Sequence, residues 1–396
     1  MDIKIKPSKL HGKLKAVSSK SFAHRIITAA ALSDKKTEIY INGFSEDILR
    51  TISCVEALGA ECETEEDVLS IIPVGKQEEN VILSCGESGT TARIMLPVGA
   101  VAAKGAKLTG CGRLPERPFA DMTNLLRKKG MEVSSDTLPI SISGNLKCGD
   151  FEIPGHISSQ YITGLMFALP KLDGKSTITL TTPLKSSAYV DITIDVLKDF
   201  GVNVIKTEKG YTIPKADFIS PSKVSVEGDW SNAAFWIVAN ELGSKLEITN
   251  LNPLSVQCDR KILDVLSLDS VDVDEIPDLF PILAILACSR NGKTRLYNAG
   301  RLRLKESDRI LATEELINSL GGKAVSGEDY LDIFGTGRLR GGLVNGFNDH
   351  RIVMSAAIAA TICEEDVTIF GAEAVNKSYP SFFEEYNKSG GQSVVI

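Results

Sequence analysis

The stretch VEALGAECETEEDVLSII, residues 55–72, decides the fold because its pattern recurs along the chain. An amphipathic helix segment ends at Gly59, and two short runs of alternating apolar and polar residues follow around a charged turn. Glycine readily adopts the left-handed conformation that ends a helix, and alternation is typical of half-buried strands. The stretch therefore predicts a helix end followed by a β-hairpin.

The pattern occurs five times, and its first three copies are spaced 71 residues apart. The copies contain Gly59, Gly130, Gly201, Gly321 and Gly390. A degenerate sixth copy, ILDVLSLDSVDV, occupies residues 262–273. Three units before about residue 226 and three after it predict two similar α/β domains. Two matters stay open at this point: helix–strand units look alike in any α/β protein, and the N-terminal strand could pair with either domain.

Composition predicts a soluble, cytoplasmic protein of two domains. A chain of 396 residues exceeds the usual limit for one hydrophobic core, and 43% hydrophobic with 24% charged residues is ordinary for a globular protein. The net charge of −7 argues against a nucleic-acid binder. Eight cysteines without a CxxC pair exclude the usual zinc and redox spacings and favour a reducing compartment. There is no signal-peptide pattern and no apolar run long enough to span a bilayer.

Three motifs in the first half of the chain suit anion binding. SSKSFAHRIITAAAL (18–32) has Lys20 at a predicted helix start, which favours a bound anion; the alternative is a surface lysine beside a capped helix. SCGESGTTARIMLPVGAVAA (84–103) is a small-residue loop without the P-loop pattern, and it fits an anion loop or a plain helix start. GRLPERPFADM (112–122) holds Arg117 between prolines that stiffen the backbone.

Two further predicted helix starts carry uncharged polar groups. GHISSQYITGLMFAL (155–169) offers two hydroxyls and an amide, and LKSSAYVDI (184–192) offers serines and a tyrosine. Each of them alone fits a simple polar cap. Several similar ones favour repeated binding of an anion or a polyol.

RLRLKESDRI (301–310) places like charges together. If it opens a helix, Lys305 and Arg309 lie one turn apart, a spacing that destabilises a helix by roughly 0.2–0.5 kcal/mol. Either the segment is an ordinary solvated helix start, or an anion binds between the two cations with Glu306 beside them. Asp278 precedes a nearly uncharged helix, where a role as helix N-cap is the alternative to a functional one.

The cations share a position relative to predicted apolar helices. FNDHRIVMSAAIAA (347–360) and VNKSYPSFF (375–383) repeat the arrangement, although a lone histidine or lysine at a helix start usually has no function. Seven cations lie at or near such starts: Lys20, Arg25, Arg93, Arg117, Arg309, Arg351 and Lys377. Because helices of similar units point their N-termini the same way, we expect these groups to converge on one cleft between the domains. Such a cleft suits ligands that carry phosphate and carboxylate groups.

These motifs, in this order and over essentially the whole length, resemble the 5-enolpyruvylshikimate-3-phosphate (EPSP) synthase family. The pairing of KESDR with NDHR is the most specific part of the resemblance. It implies an α/β fold of two similar domains, each of three βαβαββ-type repeats (an inside-out α/β barrel), with the active site in the interdomain cleft. The implied domains are 19–226 and 1–18 with 227–396, with hinges near 18–20 and 226–229.

The resemblance also implies the chemistry. The family transfers the enolpyruvyl group of phosphoenolpyruvate to the 5-hydroxyl of shikimate 3-phosphate and releases phosphate, without metal or organic cofactor. The expected partners are these two small molecules, with no nucleic acid and no membrane, and the expected state is a monomer.

By position, the resemblance assigns the site residues. Those matched to shikimate 3-phosphate are Lys20, Ser21, Arg25, Ser158, Ser159, Gln160, Ser186, Tyr189, Asp278 and Lys305. Those matched to phosphoenolpyruvate are Lys20, Gly89, Arg117, Gln160, Arg309, Arg351 and Lys377, with Thr90, Arg93 and His350 in support. The implied catalytic groups are Asp278 as base near the 5-hydroxyl, Glu306 as acid toward the methylene carbon, and Lys20.

The chain departs from better-known members at two positions. Glu87 stands where asparagine is common, and we expect its carboxylate to turn away from bound phosphate. Arg301 stands where an asparagine contacts shikimate 3-phosphate in some members, so the resemblance does not assign that contact here. By contrast, Gly89 and Thr90 resemble the glyphosate-sensitive form of the loop, which predicts inhibition in competition with phosphoenolpyruvate.

Two alternatives stay open at this stage. UDP-N-acetylglucosamine enolpyruvyl transferases share the fold and the phosphoenolpyruvate chemistry. That family has Lys-Asn in place of Lys20-Ser21 and usually a cysteine in the loop near Arg117, whereas Cys111 lies in a different context here. A non-catalytic module that binds phosphorylated metabolites is the other alternative, although it would have little reason to retain both Asp278 and Glu306.

Overall fold

The computed structural model describes residues 1–396, and the chain divides into two compact units. We call Lys20–Val226 the central unit, and Met1–Ser19 together with Glu227–Ile396 the terminal unit. The chain enters the central unit after Ser19, which itself belongs to the terminal unit, and leaves it after Val226. None of the helices combines the length and the apolar character needed to cross a membrane.

The elements follow one another along the chain in three groups. The terminal unit begins with β1 (Ile3–Lys6) and β2 (His11–Lys15). The central unit contains α1 (Lys20–Ala31), β3 (Thr37–Tyr40), α2 (Glu46–Ala57), β4 (Glu61–Glu65), β5 (Val68–Ile72), β6 (Val81–Ser84), α3 (Gly89–Ala102), β7 (Ala106–Thr109), α4 (Ala120–Lys128), β8 (Met131–Val133), β9 (Ile140–Gly144), β10 (Asp150–Ile153), α5 (Ser159–Ala168), β11 (Ser176–Leu180), α6 (Ser187–Asp199), β12 (Ile205–Thr207), β13 (Gly210–Ile213) and β14 (Lys223–Ser225). The terminal unit continues with α7 (Trp230–Glu241), β15 (Lys245–Thr249), α8 (Ile262–Val265), β16 (Ser270–Asp272), α9 (Phe280–Cys288), β17 (Asn291–Tyr297), α10 (Arg309–Ser319), β18 (Ala324–Ser326), β19 (Leu331–Thr336), β20 (Gly342–Asn345), α11 (His350–Ala359), β21 (Val367–Phe370), α12 (Phe382–Lys388) and β22 (Gln392–Val395).

One topology repeats in five four-stranded sheets. In the sheet β6-β7-β9-β8, β6 and β7 pair in parallel across α3, and the hairpin β8–β9 adds antiparallel to β7. The sheets β10-β11-β13-β12 and β16-β17-β19-β18 have the same order. The other two sheets, β14-β3-β5-β4 and β20-β21-β1-β22, follow the same scheme. In each of them one strand comes from a distant part of the chain: β14 pairs in parallel with β3, and β1 pairs antiparallel with β21. The predicted α/β fold built from βαβαββ repeats is thereby confirmed.

The sixth repeat is reduced. Its sheet contains only β15 and β2, paired in parallel. The degenerate copy at residues 262–273 forms the four-residue helix α8 and the strand β16, which pairs with β17 and starts the next sheet. No hairpin forms here because the copy lacks both the glycine that ends a helix and the second alternating run.

The glycines of the five full copies take the predicted left-handed conformation. Their φ angles lie between +78° and +101° for Gly59, Gly130, Gly201, Gly321 and Gly390. The charged turns after three of them connect antiparallel strands, in the hairpins β4–β5, β12–β13 and β18–β19. The helix-end and hairpin predictions are therefore confirmed.

Helices form the interior of each unit. Every residue of α9 and of α11 is buried. In the central unit, α3 and α5 approach so closely that a Cβ atom at Gly164 would lie 2.7 Å from the carbonyl oxygen of Arg93. Because apolar contacts surround the helix bodies, charged groups can reach solvent mainly at the helix ends, which is where the candidate site residues lie.

Candidate active site

In the central unit, Lys20 opens α1 and pairs with a carboxylate. Its Nζ donates to Oδ2 of Asp47, in the first turn of α2, at 2.7 Å. The side chain of Lys20 is 18% exposed and that of Asp47 is 13% exposed. The lysine therefore lies near the surface with its charge balanced, where an anionic ligand can reach it.

Arg25 is buried and connects three helices. Its Nε donates to the Thr193 hydroxyl at 2.8 Å, and Nη2 donates to the Thr163 hydroxyl at 3.2 Å. Further N–H groups donate to the carbonyl oxygens of Ser21 and Tyr189. With 1% exposure, Arg25 orders the starts of α1 and α6, and its predicted contact with shikimate 3-phosphate stays a prediction.

Gln160 joins α5 to the loop that begins α3. Arg93 donates from Nη1 to its Oε1 at 2.8 Å, and its own Nε2 donates to the Thr90 hydroxyl at 2.7 Å. The Arg93 guanidinium also lies over the rings of Phe119 and Tyr161. This arrangement depends on the close approach of α3 to α5 at Gly164 and fixes the amide of Gln160 in one orientation.

Arg117 lies against the N-terminus of α3. A Cβ atom at Gly89 would lie 2.5 Å from its Nη1, and the side chain is only 8% exposed. Ser88 caps the helix by accepting from the backbone N–H of Thr91. Glycine at position 89 therefore permits the guanidinium to approach the helix dipole, a combination suited to an anion.

The remaining predicted residues of the central unit lie at the starts of α5 and α6. Ser158 is the N-cap of α5 and accepts from the backbone N–H of Gln160 at 3.3 Å, and Ser159 follows it, buried. Ser186 precedes α6 in the left-handed region, with φ +53°. A non-glycine residue in that conformation costs about 1–3 kcal/mol, a strain that is typical of ligand-binding positions. Tyr189 follows in the first turn of α6.

In the terminal unit, Arg309 binds three carboxylates while 1% exposed. Nη1 donates to Asp278 at 2.8 Å, Nη2 to Glu306 at 2.7 Å, and Nε to Asp349 at 3.0 Å. Burial alone would lower the pKa of Arg309, but the carboxylates of Asp349, Glu306 and Asp278 raise it above its usual value. The arginine is thus permanently charged and holds Asp278 and Glu306 on adjacent nitrogens.

Asp278 is the meeting point of three cations. Arg351 donates to its Oδ2 at 3.0 Å, Arg309 to its Oδ1, and the Nζ of Lys305 lies 3.7 Å from Oδ1. Burial would raise the pKa of Asp278, but Arg351, Lys305 and Arg309 hold it well below its ordinary value. The carboxyl does not cap α9, whose N-cap is Leu279 without a side-chain hydrogen bond. The N-cap alternative for Asp278 is therefore wrong.

Lys305 and Arg309 do not share a helix face, contrary to the expectation from RLRLKESDRI. Gly300–Leu304 forms a short 3-10 helix, Lys305 is extended, and α10 starts only at Arg309. Asp308 sets that start as N-cap by accepting from Leu311 N at 3.2 Å. The two cations instead converge on the carboxylate of Asp278.

Arg301 and Glu87, the two departures, each lie beside a defined neighbour. Arg301 donates from Nη2 to the carbonyl and the carboxylate of Asp274, at 2.8 and 2.9 Å. The Glu87 carboxyl lies against Gly112, where an added Cβ atom would approach it to 2.5 Å.

Lys377 lies at the end of a 3-10 helix, Ala372–Lys377, and not at a helix start as expected, because α12 begins only at Phe382. Its Nζ donates to the carbonyl oxygen of Asn348 at 2.7 Å. That contact brings Lys377 to the start of α11, where His350 and Arg351 form the first turn.

Sequence reasoning missed Asp259. It is 3% exposed and lies in the short 3-10 helix Cys258–Lys261, where the charges of Asp278 and Arg351 act on its carboxyl. Burial and the negative charge of Asp278 raise the pKa of Asp259 to about 7, although Arg351 lowers it. A single acid inside the charged run CDRK carries no sequence signal for this environment, because the shift comes from residues distant in the chain.

Comparisons with known proteins show which family the chain resembles. A family model for EPSP synthase (3-phosphoshikimate 1-carboxyvinyltransferase) matches residues 4–386. The 3-phosphoshikimate 1-carboxyvinyltransferase of Clostridium acetobutylicum is 40% identical over 98% of this chain and 97% of that protein. The protein of the same name from Clostridioides difficile is 35% identical over 98% of both.

Solved structures give the same result. EPSP synthase from Acinetobacter baumannii matches with a TM-score of 0.82 and 25% identity, over 100% of both chains. The enolpyruvyl transferase NikO from Streptomyces tendae matches with a TM-score of 0.80 at 16% identity, over 99% of this chain and 98% of that one. The second likeness concerns the fold alone.

The buried carboxyl of Asp259 predicts a pH-dependent stability. Folding raises its pKa from 3.8 to about 7, so between these values the folded protein holds a proton that the unfolded chain has lost. The free energy of unfolding then falls as pH rises, by up to about 1.4 kcal/mol per pH unit. Asparagine cannot ionise, so Asp259→Asn should gain stability relative to the wild type between about pH 5 and about pH 7.

Urea denaturation of both proteins across that range measures the difference. The comparison is needed because burial, with Lys20 and Arg25, lowers the pKa of His24, so that in both proteins His24 makes stability rise with pH through about 6.5. A difference between the two proteins that stays constant with pH would contradict the assignment to Asp259.

Proposed function

The chain belongs to the EPSP synthase family, and from this membership we propose how its residues carry out the reaction. The protein is a 3-phosphoshikimate 1-carboxyvinyltransferase of the shikimate pathway. It transfers the enolpyruvyl group of phosphoenolpyruvate to the 5-hydroxyl of shikimate 3-phosphate and releases phosphate. We propose that the helix starts of the central unit and the carboxylate–cation cluster of the terminal unit act on the same two substrates.

The observation that carries the proposal is the double hold of Arg309 on Asp278 and Glu306. The reaction needs a base that takes the proton of the 5-hydroxyl and an acid that protonates the methylene carbon. Asp278, held ionised by its cations, is the base, and Glu306, on the neighbouring nitrogen, is the acid. One buried guanidinium thus fixes the separation of the two proton-transfer groups.

The substrates bind through groups that match their charges. Shikimate 3-phosphate is held by Lys20, Ser21, Arg25, Ser158, Ser159, Gln160, Ser186, Tyr189, Asp278 and Lys305. Phosphoenolpyruvate is held by Lys20, Gly89, Arg117, Gln160, Arg309, Arg351 and Lys377, with Thr90, Arg93 and His350 in support. Arg351 supports this assignment because only its Nη2 is hydrogen-bonded, while buried Nε and Nη1 have no partner and are left for an anion.

The reaction proceeds by addition and then elimination. The 5-oxygen bonds to the central carbon of phosphoenolpyruvate as its proton passes to Asp278, and the methylene carbon takes a proton from Glu306. The resulting methyl group then returns a proton to the Glu306 carboxylate, the double bond forms again, and the bond to phosphate breaks as the departing phosphate takes the proton from Asp278. The arginines and lysines stabilise the charge on the departing phosphate. Because the two steps can share groups, each carboxyl acts in both directions.

We also propose a cytoplasmic location. The eight cysteines are all free thiols, which suits a reducing compartment. The expectations of a monomer and of a reaction without metal or organic cofactor stay predictions.

Phosphate release tests the function and the acid together. Wild-type protein should release phosphate from phosphoenolpyruvate with shikimate 3-phosphate and not with UDP-N-acetylglucosamine. Glu306→Gln should lower kcat by roughly 10²–10⁴-fold, the usual contribution of a positioned acid or base. Glu315→Gln, at an exposed glutamate of α10, is the matched control and should retain wild-type kcat. If phosphate is released with UDP-N-acetylglucosamine but not with shikimate 3-phosphate, the proposed function is wrong. If Glu306→Gln releases phosphate at the wild-type rate, Glu306 is not the general acid.

Gly89→Ala should impair phosphoenolpyruvate binding. The new Cβ would lie 2.5 Å from Nη1 of Arg117, so the guanidinium must move away from the start of α3. We expect the KM for phosphoenolpyruvate to rise roughly tenfold, and inhibition by glyphosate, which the wild type should show in competition with phosphoenolpyruvate, to weaken. Gly75→Ala, where no atom lies within 4 Å of the new Cβ, should behave as wild type. An unchanged KM in Gly89→Ala would contradict the role of Arg117.

A further inference from the structure

Four buried polar side chains from three helices form a continuous hydrogen-bonded chain in the central unit. Nδ1 of His24 in α1 lies 2.6 Å from the hydroxyl of Thr51 in α2. That hydroxyl lies 2.8 Å from the hydroxyl of Thr91 in α3, which donates to Ser88 Oγ at 2.8 Å. None of the four residues is more than 1% exposed. We call this the hydroxyl chain.

The two ends of the hydroxyl chain reach residues that the proposed function assigns to phosphoenolpyruvate. Ser88 is the N-cap of α3 and directly precedes Gly89. His24 lies one helical turn after Lys20 in α1. Thr91 also approaches the carbonyl oxygen of Asp47, the ion-pair partner of Lys20, to 3.5 Å. The hydroxyl chain therefore links the surroundings of Lys20 to the start of α3 at Ser88 and Gly89.

One order of donors satisfies every link. Because Thr91 donates its single hydroxyl proton to Ser88, Thr51 must donate to Thr91, and His24 must donate from Nδ1 to Thr51. In the neutral ring, Nε2 of His24 then carries no proton, and it is buried without a hydrogen-bond partner. Burial, together with the charges of Lys20 and Arg25, holds the pKa of His24 well below its usual value, so the ring stays neutral, which is compatible with this order.

Water cannot replace a hydrogen bond that is lost from the hydroxyl chain. Each member is shielded from water, so a lost link leaves a buried donor or acceptor unsatisfied, at a cost of about 1–3 kcal/mol. The neighbouring helices then relax by moving apart or by admitting water. The start of α3 is tied to α2 through the Thr91 hydroxyl, so this helix start is the part that moves.

We propose that Thr51 is a positioning residue of the reaction: through the hydroxyl chain it sets the start of α3, with Gly89 and Thr90, relative to Lys20. The proposal rests on the proposed function, which assigns these groups to phosphoenolpyruvate. Thr51 touches no substrate and acts only through Thr91 and His24. Because Gly89 and Thr90 are assigned to phosphoenolpyruvate alone, the effect is larger on the binding of phosphoenolpyruvate than on that of shikimate 3-phosphate.

Thr28, which is not part of the hydroxyl chain, provides a matched control. This threonine is also buried, at 0% exposure, and lies in α1. Its hydroxyl donates to the carbonyl oxygen of His24 at 2.7 Å, within its own helix. Thr28→Val removes a buried hydroxyl, as Thr51→Val does, but it breaks no hydrogen bond between helices.

Steady-state kinetics with both substrates test the proposal. Thr51→Val should raise the KM for phosphoenolpyruvate roughly tenfold, and should leave the KM for shikimate 3-phosphate within about twofold of the wild type. Thr51→Ser, which restores the hydroxyl, should recover most of the loss. Thr28→Val should leave both KM values unchanged, although its melting temperature falls. If Thr51→Val does not fold, Thr91→Val breaks the next link and should give the same split.

Amide hydrogen exchange gives a readout that needs no activity. In Thr51→Val, the amides of residues 88–92 should exchange faster than in the wild type, and in Thr28→Val they should not. Equal rises of both KM values, a serine variant that does not recover, or unchanged exchange at residues 88–92 overturns the proposal. A wild-type protein that releases no phosphate overturns the proposed function instead, and the exchange experiment then still decides whether Thr51 orders the start of α3.

Discussion

The structure of the terminal unit depends on one buried arginine. Arg309 is 1% exposed and binds Asp278, Glu306 and Asp349. Removing one partner from a buried ion pair costs about 3–5 kcal/mol, because the other charge remains uncompensated. Lys305 and Arg351 are needed in turn to balance the three carboxylates, so the motifs around residues 278, 306 and 349 form one electrostatic unit.

The fold explains why such a cluster can exist. Helices such as α9 and α11 are buried at every residue, so polar groups collect at their starts. The terminal unit collects charges there, whereas the central unit collects hydroxyls and amides around Lys20 and Arg25. In the proposed function, the charged cluster provides proton transfer and anion stabilisation, and the polar helix starts recognise a hydroxylated ring and its phosphate.

Much of the fold could be predicted from the sequence, because the glycine at each helix end and the alternation after it are local signals. The candidate residues could be found because cations at the starts of apolar helices are unusual. Other features could not be predicted. The positions of Lys305 and Arg309 depend on where Asp308 begins α10, and the pKa of Asp259 depends on neighbours that are distant in the chain. Thr51 looks like any threonine in an amphipathic helix, and only packing reveals its bonds to His24 and Thr91.

We propose that the planar fork of Arg309 fixes the two proton-transfer carboxyls, and Arg309→Lys is the variant that tests this role. Lysine keeps the positive charge but cannot donate to Asp278 and Glu306 from two fixed nitrogens. We expect kcat for phosphate release to fall by roughly 10²-fold or more while the protein remains folded by circular dichroism. If Arg309→Lys keeps kcat within about threefold of the wild type, charge alone is sufficient and the guanidinium fork is not needed.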